Sequence, residues 1–273
     1  MKLHRWAVNL VLYHSVESTC AQKVKLVLAE KQLVWEEEKL NLRRGDQFSP
    51  AYLALNPKGV VPTLVYDSVV IRESTVINEY LDDAFPEPSL KPASPAVVAD
   101  MRLWVKTFDD DVHPAVGVTT YATVLRHQMQ EMKSEAELED HFAKIPDPAR
   151  RMRQISVHDC GIDAEPAAVA LKQLDGVLDR LDMQLAESSW IAGEQFSLAD
   201  CAAAPYILRL DMLQFSGLWE GRRPNLGSWY RRVSDHTNFK NVVVNQIPQS
   251  LAEKFSQYGK QVWPKVEAIV FGA

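Results

Sequence analysis

The chain has 273 residues, 47% of them hydrophobic and 24% charged, with a net charge of −6. That balance allows one large domain or two modest ones around an ample core. The acidic excess and the lack of a basic stripe argue against nucleic-acid binding, which needs cations to displace phosphate counterions. Arg150, Arg151 and Arg153 form a short basic run, but Asp147 and Asp159 flank it, so it reads as a solvated face. Cys20, Cys160 and Cys201 are scattered and form no CxxC pair. A reducing, cytoplasmic setting is the expectation. The apolar run Trp6–Tyr13 is too short for a membrane span and has no small-residue cleavage site after it. No membrane partner and no metal are expected.

The first eighty-odd residues alternate between period 2 and period 3.6. Val8–Tyr13 reads as a strand, and Val24, Leu26, Val27, Leu28 and Leu33 give a helical apolar face. Leu33–Leu40 reads as a second strand, residues 41–46 as a polar loop, and Phe48–Leu55 as a short helix ended by Asn56-Pro57 and Gly59. Pro62–Tyr66 and Val69–Arg72, joined by Asp67-Ser68, have the spacing of a tight hairpin. Glu73–Phe85 follows as a helix with Val76, Ile77, Tyr80 and Leu81 on one face. The order is β-α-β-α-β-β-α, with the first two strands parallel through a right-handed crossover and the hairpin antiparallel.

Pro86, Pro88, Pro92 and Pro95 then mark a linker. Beyond it no convincing strand is present. Ala96–Leu125, Ser134–Ala143, Pro166–Ala186, Leu198–Leu213 and Asn225–His236 read as helices, and Pro146–Asp163 as an extended loop. A tail helix over Gln249–Phe271 is expected to kink or break at Pro264. Ser197-Leu198-Ala199-Asp200 is a capping box with Asp in place of Glu, and Phe196 is placed as a hydrophobic staple.

Three sites carry chemistry. Ser18, Thr19 and Cys20 stand side by side at a strand-to-helix junction. Proline opening a strand, at Val61-Pro62, forfeits a ladder donor. It is either a trans proline at an edge or a cis bond that turns the backbone of Val61 outward, free to pair with an extended peptide. Glu73-Ser74 opens a helix, where free N–H groups and a partial positive charge suit a ligand carboxylate and Glu73 suits an ammonium. The same pair is also an ordinary helix N-terminal signature.

Together these features resemble the cytosolic glutathione transferases across essentially the whole chain. The best-matched stretches are Gln47–Pro62 (QFSPAYLALNPKGVVP), Glu73–Tyr80 (ESTVINEY) and Phe196–Asp200 (FSLAD). The resemblance implies a thioredoxin-like α/β domain over residues 1–86, a linker over 87–95 and an all-α helical bundle over 96–273. It implies glutathione as co-substrate and a homodimer. Val61, before the cis Pro62, would pair its backbone with the cysteinyl unit of glutathione. Glu73 and Ser74 would hold the γ-glutamyl group, and Gln47 or Lys58 the glycyl carboxylate.

Ser18 falls where serine-type classes place the hydroxyl that hydrogen-bonds the glutathione sulfur. A free thiol has a pKa near ~8.5, so lowering it by two units needs ~2.7 kcal/mol. One short O–H···S⁻ bond and a helix N-terminus are suited to supply that. Thr19 is a fallback, and Cys20, two residues further on, is expected to pack as a small residue. Some related classes instead use a cysteine in this turn for thiol exchange. Trp104, Phe108, His113, Tyr121 and Tyr206 are candidates for the electrophile pocket, and one of Asp109–Asp111 for the glutathione ammonium.

Within the superfamily the chain resembles the bacterial lignin β-aryl-etherases, in Asn56–Pro62, Glu73–Glu87 and the Arg-rich insert at Ile145–Arg153. In those enzymes glutathione thiolate expels a phenol from the carbon bearing an aryl ether. Zeta-like isomerases share Gln47-Phe-Ser and a Ser-x-Cys turn, with Thr19 here in place of their second serine. A glutathione-dependent isomerase, a thiol-exchange enzyme and a catalytically silent binding protein on the same fold are the alternatives.

Overall fold

A computed structural model describes residues 9–272. Val8, at the head of the expected first strand, and Trp6 and Ala7 lie outside the described residues. Four strands, β1 (Leu10–His14), β2 (Glu36–Lys39), β3 (Thr63–Tyr66) and β4 (Val69–Arg72), form one sheet in the order β2-β1-β3-β4. β1 and β2 are parallel, with Val11 opposite Glu36. β1 and β3 are antiparallel, with Leu12 opposite Leu64, and β3 pairs with β4 in a hairpin. The helices of this part are α1 (Thr19–Glu30), α2 (Pro50–Leu55) and α3 (Ser74–Ala84).

β2 is shorter than the pattern suggests. Its glutamates make it an edge strand whose charges discourage further pairing. Glu37 is the exception, pairing with Lys25 at 2.8 Å and His14 at 3.3 Å. Of the face expected on α3, Ile77 and Leu81 are buried but Val76 is 54% exposed. Asn78 and Asp82 are buried in its place. Asp82 accepts from Leu90 N at 2.8 Å and pairs with the buried Lys31, whose Nζ also donates to Pro88 O at 2.6 Å. The proline-rich connection is thereby fastened to the α/β part. Leu198 N donates to Leu90 O at 3.0 Å and ties the same connection to the helical part.

The helices that follow are α4 (Pro95–Thr107), α5 (His113–Thr120), α6 (Arg126–Met132), α7 (Glu135–Ala143) and α8 (Pro148–Cys160). After them come α9 (Glu165–Glu187), α10 (Leu198–Met212), α11 (Pro224–Asp235), α12 (Thr237–Val242) and α13 (Gln249–Phe271). α4, α5 and α6 are one continuous helical run interrupted by two π turns, at 108–112 and 121–125. Each closes with an i→i−5 bond, His113 N to Phe108 O and Arg126 N to Tyr121 O. Pro114 lacks the N–H a regular helix would direct at Asp110 O, which accounts for the first turn's widening.

Two expectations are corrected here. Residues 146–163 are mostly helix α8, started by Asp147 as N-cap and Pro148 in the first turn. Only Val157 and His158 are buried along it, so its apolar stripe is too sparse to register as helical periodicity. Pro264 does not end α13, which continues to Phe271. The helix is held by close packing: Gly259 lies so near Leu213 that a Cβ would approach the Leu213 carbonyl oxygen to 1.8 Å, and Trp263 lies over Gly217.

The expected capping box is present. Buried Asp200 accepts from Ser197 N at 2.9 Å, Ile191 N at 3.1 Å and Trp229 Nε1 at 2.8 Å. Phe196 packs edge-on to Trp190 and stacks on His236. Among the described residues no helix is long and apolar enough to cross a membrane.

Candidate functional site

A cavity of about 680 Å³ opens where the α/β part meets the helical part. Its α/β wall brings together Ser18, Thr19 and Cys20 at the start of α1, Gln47, the Val60-Val61-Pro62 turn, and Glu73-Ser74 at the start of α3. The Val61–Pro62 bond is cis. The turn before it is held by Tyr52, whose hydroxyl donates to Val60 O at 2.7 Å, and by Asn56 Nδ2, which donates to the same oxygen at 2.9 Å. Tyr52 on α2 and Asn56 just after it, both buried, thus hold this turn.

Ser18 is the N-cap of α1, and its Oγ accepts from Ala21 N at 3.2 Å. The hydroxyl proton stays free to donate, because capping uses only a lone pair. Gln47 is buried, with Nε2 donating to Leu42 O at 3.1 Å and one amide proton still available. Ser74, also buried, opens α3, where backbone N–H groups lack helical partners. Glu73 stands before it at φ 66°, a left-handed conformation that non-glycine residues rarely adopt. Lys58 does not line the cavity; its Nζ pairs with Glu73 at 2.7 Å instead. Its expected contact with a ligand carboxylate has no support in this placement. Arg43, not anticipated from the sequence, does line the cavity and is paired with Glu17.

Cys20, expected to pack as a small residue, lines the cavity among ionisable side chains. Its Sγ lies 3.4 Å from His113 Nδ1 and 3.6 Å from the Tyr206 hydroxyl. Burial opposes ionisation of the thiol, but the Lys23 ammonium and His113 more than offset it and hold its pKa down at about 6. Burial likewise opposes charge on His113, yet the neighbouring Cys20 raises its pKa. The Tyr206 hydroxyl is pushed upward by burial and by Cys20. Lys23 is fully buried, donates to Asp109 Oδ1 at 2.7 Å, and lies 4.8 Å from the centre of the Tyr206 ring. Asp109 in turn accepts from Thr75. The acidic run is therefore not simply a solvated face: Asp109 bridges α1, α3 and the first π turn. The signal for this cluster in the sequence was a lysine on the apolar face of α1, three residues after a cysteine.

Of the five residues proposed for the electrophile pocket, His113 and Tyr121 line the helical wall of the cavity and Trp104, Phe108 and Tyr206 do not. Trp104 and Phe108 stack on each other with ring centroids 5.9 Å apart, and Phe108 is 1% exposed core. Phe108 opens the first π turn, which re-aims the residues after it, and His113 lines the cavity. Tyr121 donates to or accepts from His158 Nδ1 at 3.0 Å at the cavity floor. Arg150 and Arg153 of α8 also border the cavity, which places part of the basic run on the site rather than on a remote face. Among the described residues no His, Cys, Asp or Glu cluster is built to hold a metal ion.

The profile of the glutathione S-transferase N-terminal domain matches residues 17–84, and that of the C-terminal domain matches residues 139–232. The chain belongs to the glutathione transferase superfamily. The protein LigF of Sphingobium sp. strain SYK-6 is 29% identical over 253 residues, covering 90% of this chain and 98% of its own. The crystal structure of β-etherase LigF from the same organism superposes with a TM-score of 0.78 at 28% identity, covering 87% of this chain and 99% of LigF. The tetrachloro-p-hydroquinone reductive dehalogenase of Sphingobium chlorophenolicum is 28% identical over 239 residues, covering 85% of this transferase and 95% of the dehalogenase. The four-stranded mixed sheet followed by helices is the fold this chain shares with LigF, and glutathione is the co-substrate of the family.

Proposed function

We propose that this transferase activates the thiol of glutathione for attack on a hydrophobic aromatic electrophile, and that β-aryl ether cleavage is among its reactions. The carrying observation is the cavity itself, which gathers Ser18, Gln47, Val61, Glu73 and Ser74 on one wall and a mixed wall opposite, with Val118, Leu125, Met129 and Val157 among its apolar members. In this reading the backbone of Val61 pairs with the cysteinyl unit. The α3 N-terminus with Ser74 takes the γ-glutamyl carboxylate, and Gln47 takes the glycyl carboxylate. Ser18 donates its free proton to the sulfur, which favours the thiolate. The thiolate displaces an aryloxide from carbon: a C–S bond forms, the C–O bond breaks, and the aryloxide leaves with the electron pair. Likeness to LigF supports the ether as leaving group. A cytoplasmic homodimer belongs to the same proposal, and light scattering on the purified chain tests its size.

The test is an electrophile panel with and without glutathione, containing a β-aryl ether and a chloro-nitrobenzene. Glutathione-dependent release of phenol or chloride supports the reading. Failure of the protein to bind glutathione-agarose sinks it.

A thiol-exchange activity has one specific observation in its favour, the Cys20–His113–Lys23 arrangement. A Cys20 thiolate attacks a glutathionyl disulfide, forming a Cys20–glutathione disulfide and releasing the second thiolate. Another glutathione thiolate then frees Cys20 and leaves as glutathione disulfide. A Cys20→Ser variant that still reduces a glutathionyl disulfide at the wild-type rate would remove this second reading.

A further inference from the structure

We infer that the electrophile half of the cavity selects aromatic substrates that carry an anionic group, held by Arg150 and Arg153. This rests on the proposed transferase reading and names the substrate class of the same site.

The charges lining the cavity divide into two sets. Its four carboxylates all have cations: Glu17 pairs with Arg43, Glu73 with Lys58, Asp109 with Lys23 and Asp110 with Lys106. Arg209 donates to Glu17 O at 2.6 Å. Arg150 and Arg153 also line the cavity, yet among the described residues neither guanidinium has a hydrogen-bond or ion-pair partner. Asp147, the nearest carboxylate in sequence, caps α8 by accepting from Ala149 N at 2.9 Å and Arg150 N at 3.2 Å. The third member of the run, Arg151, is engaged with Ile145 O at 2.6 Å.

Spacing i, i+3 puts Arg150 and Arg153 on one face of α8. Both residues are solvent-exposed; partial desolvation at the cavity edge and the neighbouring Arg153 lower Arg150 below its ordinary value, against an opposing pull from Asp147. Two guanidinium groups at one cavity edge repel each other, and a planar anion between them removes that repulsion. Guanidinium forks suit carboxylate and sulfonate oxygens. Beneath them the floor is apolar, with Tyr121, Ile145 and Val157 all buried. An apolar floor under a paired cationic rim fits a ring with an acidic substituent better than a neutral hydrocarbon.

The experiment has two arms. The first measures binding of 8-anilinonaphthalene-1-sulfonate against its neutral counterpart N-phenyl-1-naphthylamine, by fluorescence, for wild type, Arg150→Gln/Arg153→Gln and Arg150→Lys/Arg153→Lys. The wild type should favour the sulfonate by about tenfold, the scale of one hydrogen bond to a charged group. The preference should fall to near parity in the Gln pair and be largely kept in the Lys pair. In the wild type it should also shrink as salt rises from 0.01 to 1 M, since exposed guanidinium charges are screened.

The second arm compares kcat/KM for 2-chloro-1,3-dinitrobenzene and 4-chloro-3,5-dinitrobenzoate, which share a leaving group and nitro pattern and differ in the carboxylate. The expected ratio favours the benzoate in wild type and collapses in the Gln pair. No sulfonate preference, or an equal preference in the Gln pair, overturns the inference even if conjugation proceeds. A salt-sensitive preference lost in the Gln pair upholds it even if the protein fails to bind glutathione-agarose, the result that defeats the transferase reading.

Discussion

Cys20 should react as a thiolate near neutral pH. Its pKa of about 6, against an ordinary 9.0, is a shift of three units or roughly 4 kcal/mol in favour of the anion. At pH 7 that corresponds to about nine-tenths thiolate, where an unperturbed thiol would be about one-hundredth. The shift runs against burial, so removing its source should overshoot. Lys23→Met deletes the first favourable charge and leaves Asp109 unpaired nearby, which raises the thiol towards or beyond 9. His113→Asn removes a second charge and the 3.4 Å contact and should raise it less. The assay is the rate of iodoacetamide alkylation from pH 5 to 10, with mass spectrometry to assign the label among Cys20, Cys160 and Cys201. Because Cys20 and His113 titrate as a coupled pair, the profile yields the apparent pKa of the pair. A midpoint above pH 8 in the wild type, or one that Lys23→Met leaves in place, refutes the electrostatic argument.

Glu37 gives a pH-dependent contribution to stability. Burial pushes its pKa upward, but Lys25 and His14 outweigh it and bring it down to about 2. A carboxylate with a depressed folded-state pKa stabilises fully above its unfolded value near 4.5 and loses that contribution as pH falls towards 2. Glu37→Gln should therefore cost up to about 3 kcal/mol at pH 7, less what solvent screens, and the deficit should shrink below pH 4.5 in urea unfolding. Gly259→Ala places a methyl group against the Leu213 carbonyl and should lower stability by more than about 3 kcal/mol, since the contact is with backbone and not a movable side chain. A fall in thermal midpoint of less than 3 °C would contradict that packing.

Much of the fold was legible because its determinants are local. The Asp67-Ser68 hairpin, the Pro57–Gly59 stop after α2 and the Ser197–Asp200 box are each set by a few adjacent residues. What escaped detection is tertiary. α8 buries too few apolar side chains to announce itself, and α13 runs through Pro264 because packing at Gly259 and Trp263 overrides the local cost. The π turn at 108–112 alters which residues after it face the cavity, while Phe108 is in the core and Trp104 is partly buried against it. The glutathione wall was recognisable as short sequence motifs, whereas the Cys20 cluster joins α1, the first π turn and α10 across more than 180 residues of chain.

The hydroxyl at Ser18 is the centre of the proposed chemistry, and conjugation kinetics of Ser18→Ala measure its role. The variant should lose roughly 10- to 100-fold in kcat, up to the thiolate fraction lost with two pKa units, while glutathione affinity changes far less. Loss of the cap at Ala21 should lower stability by about 1 kcal/mol, a separable effect seen in the thermal midpoint. Removing Thr19 as well, by Thr19→Val, excludes the adjacent hydroxyl as a substitute. Equal conjugation rates in wild type and the double variant would contradict the account.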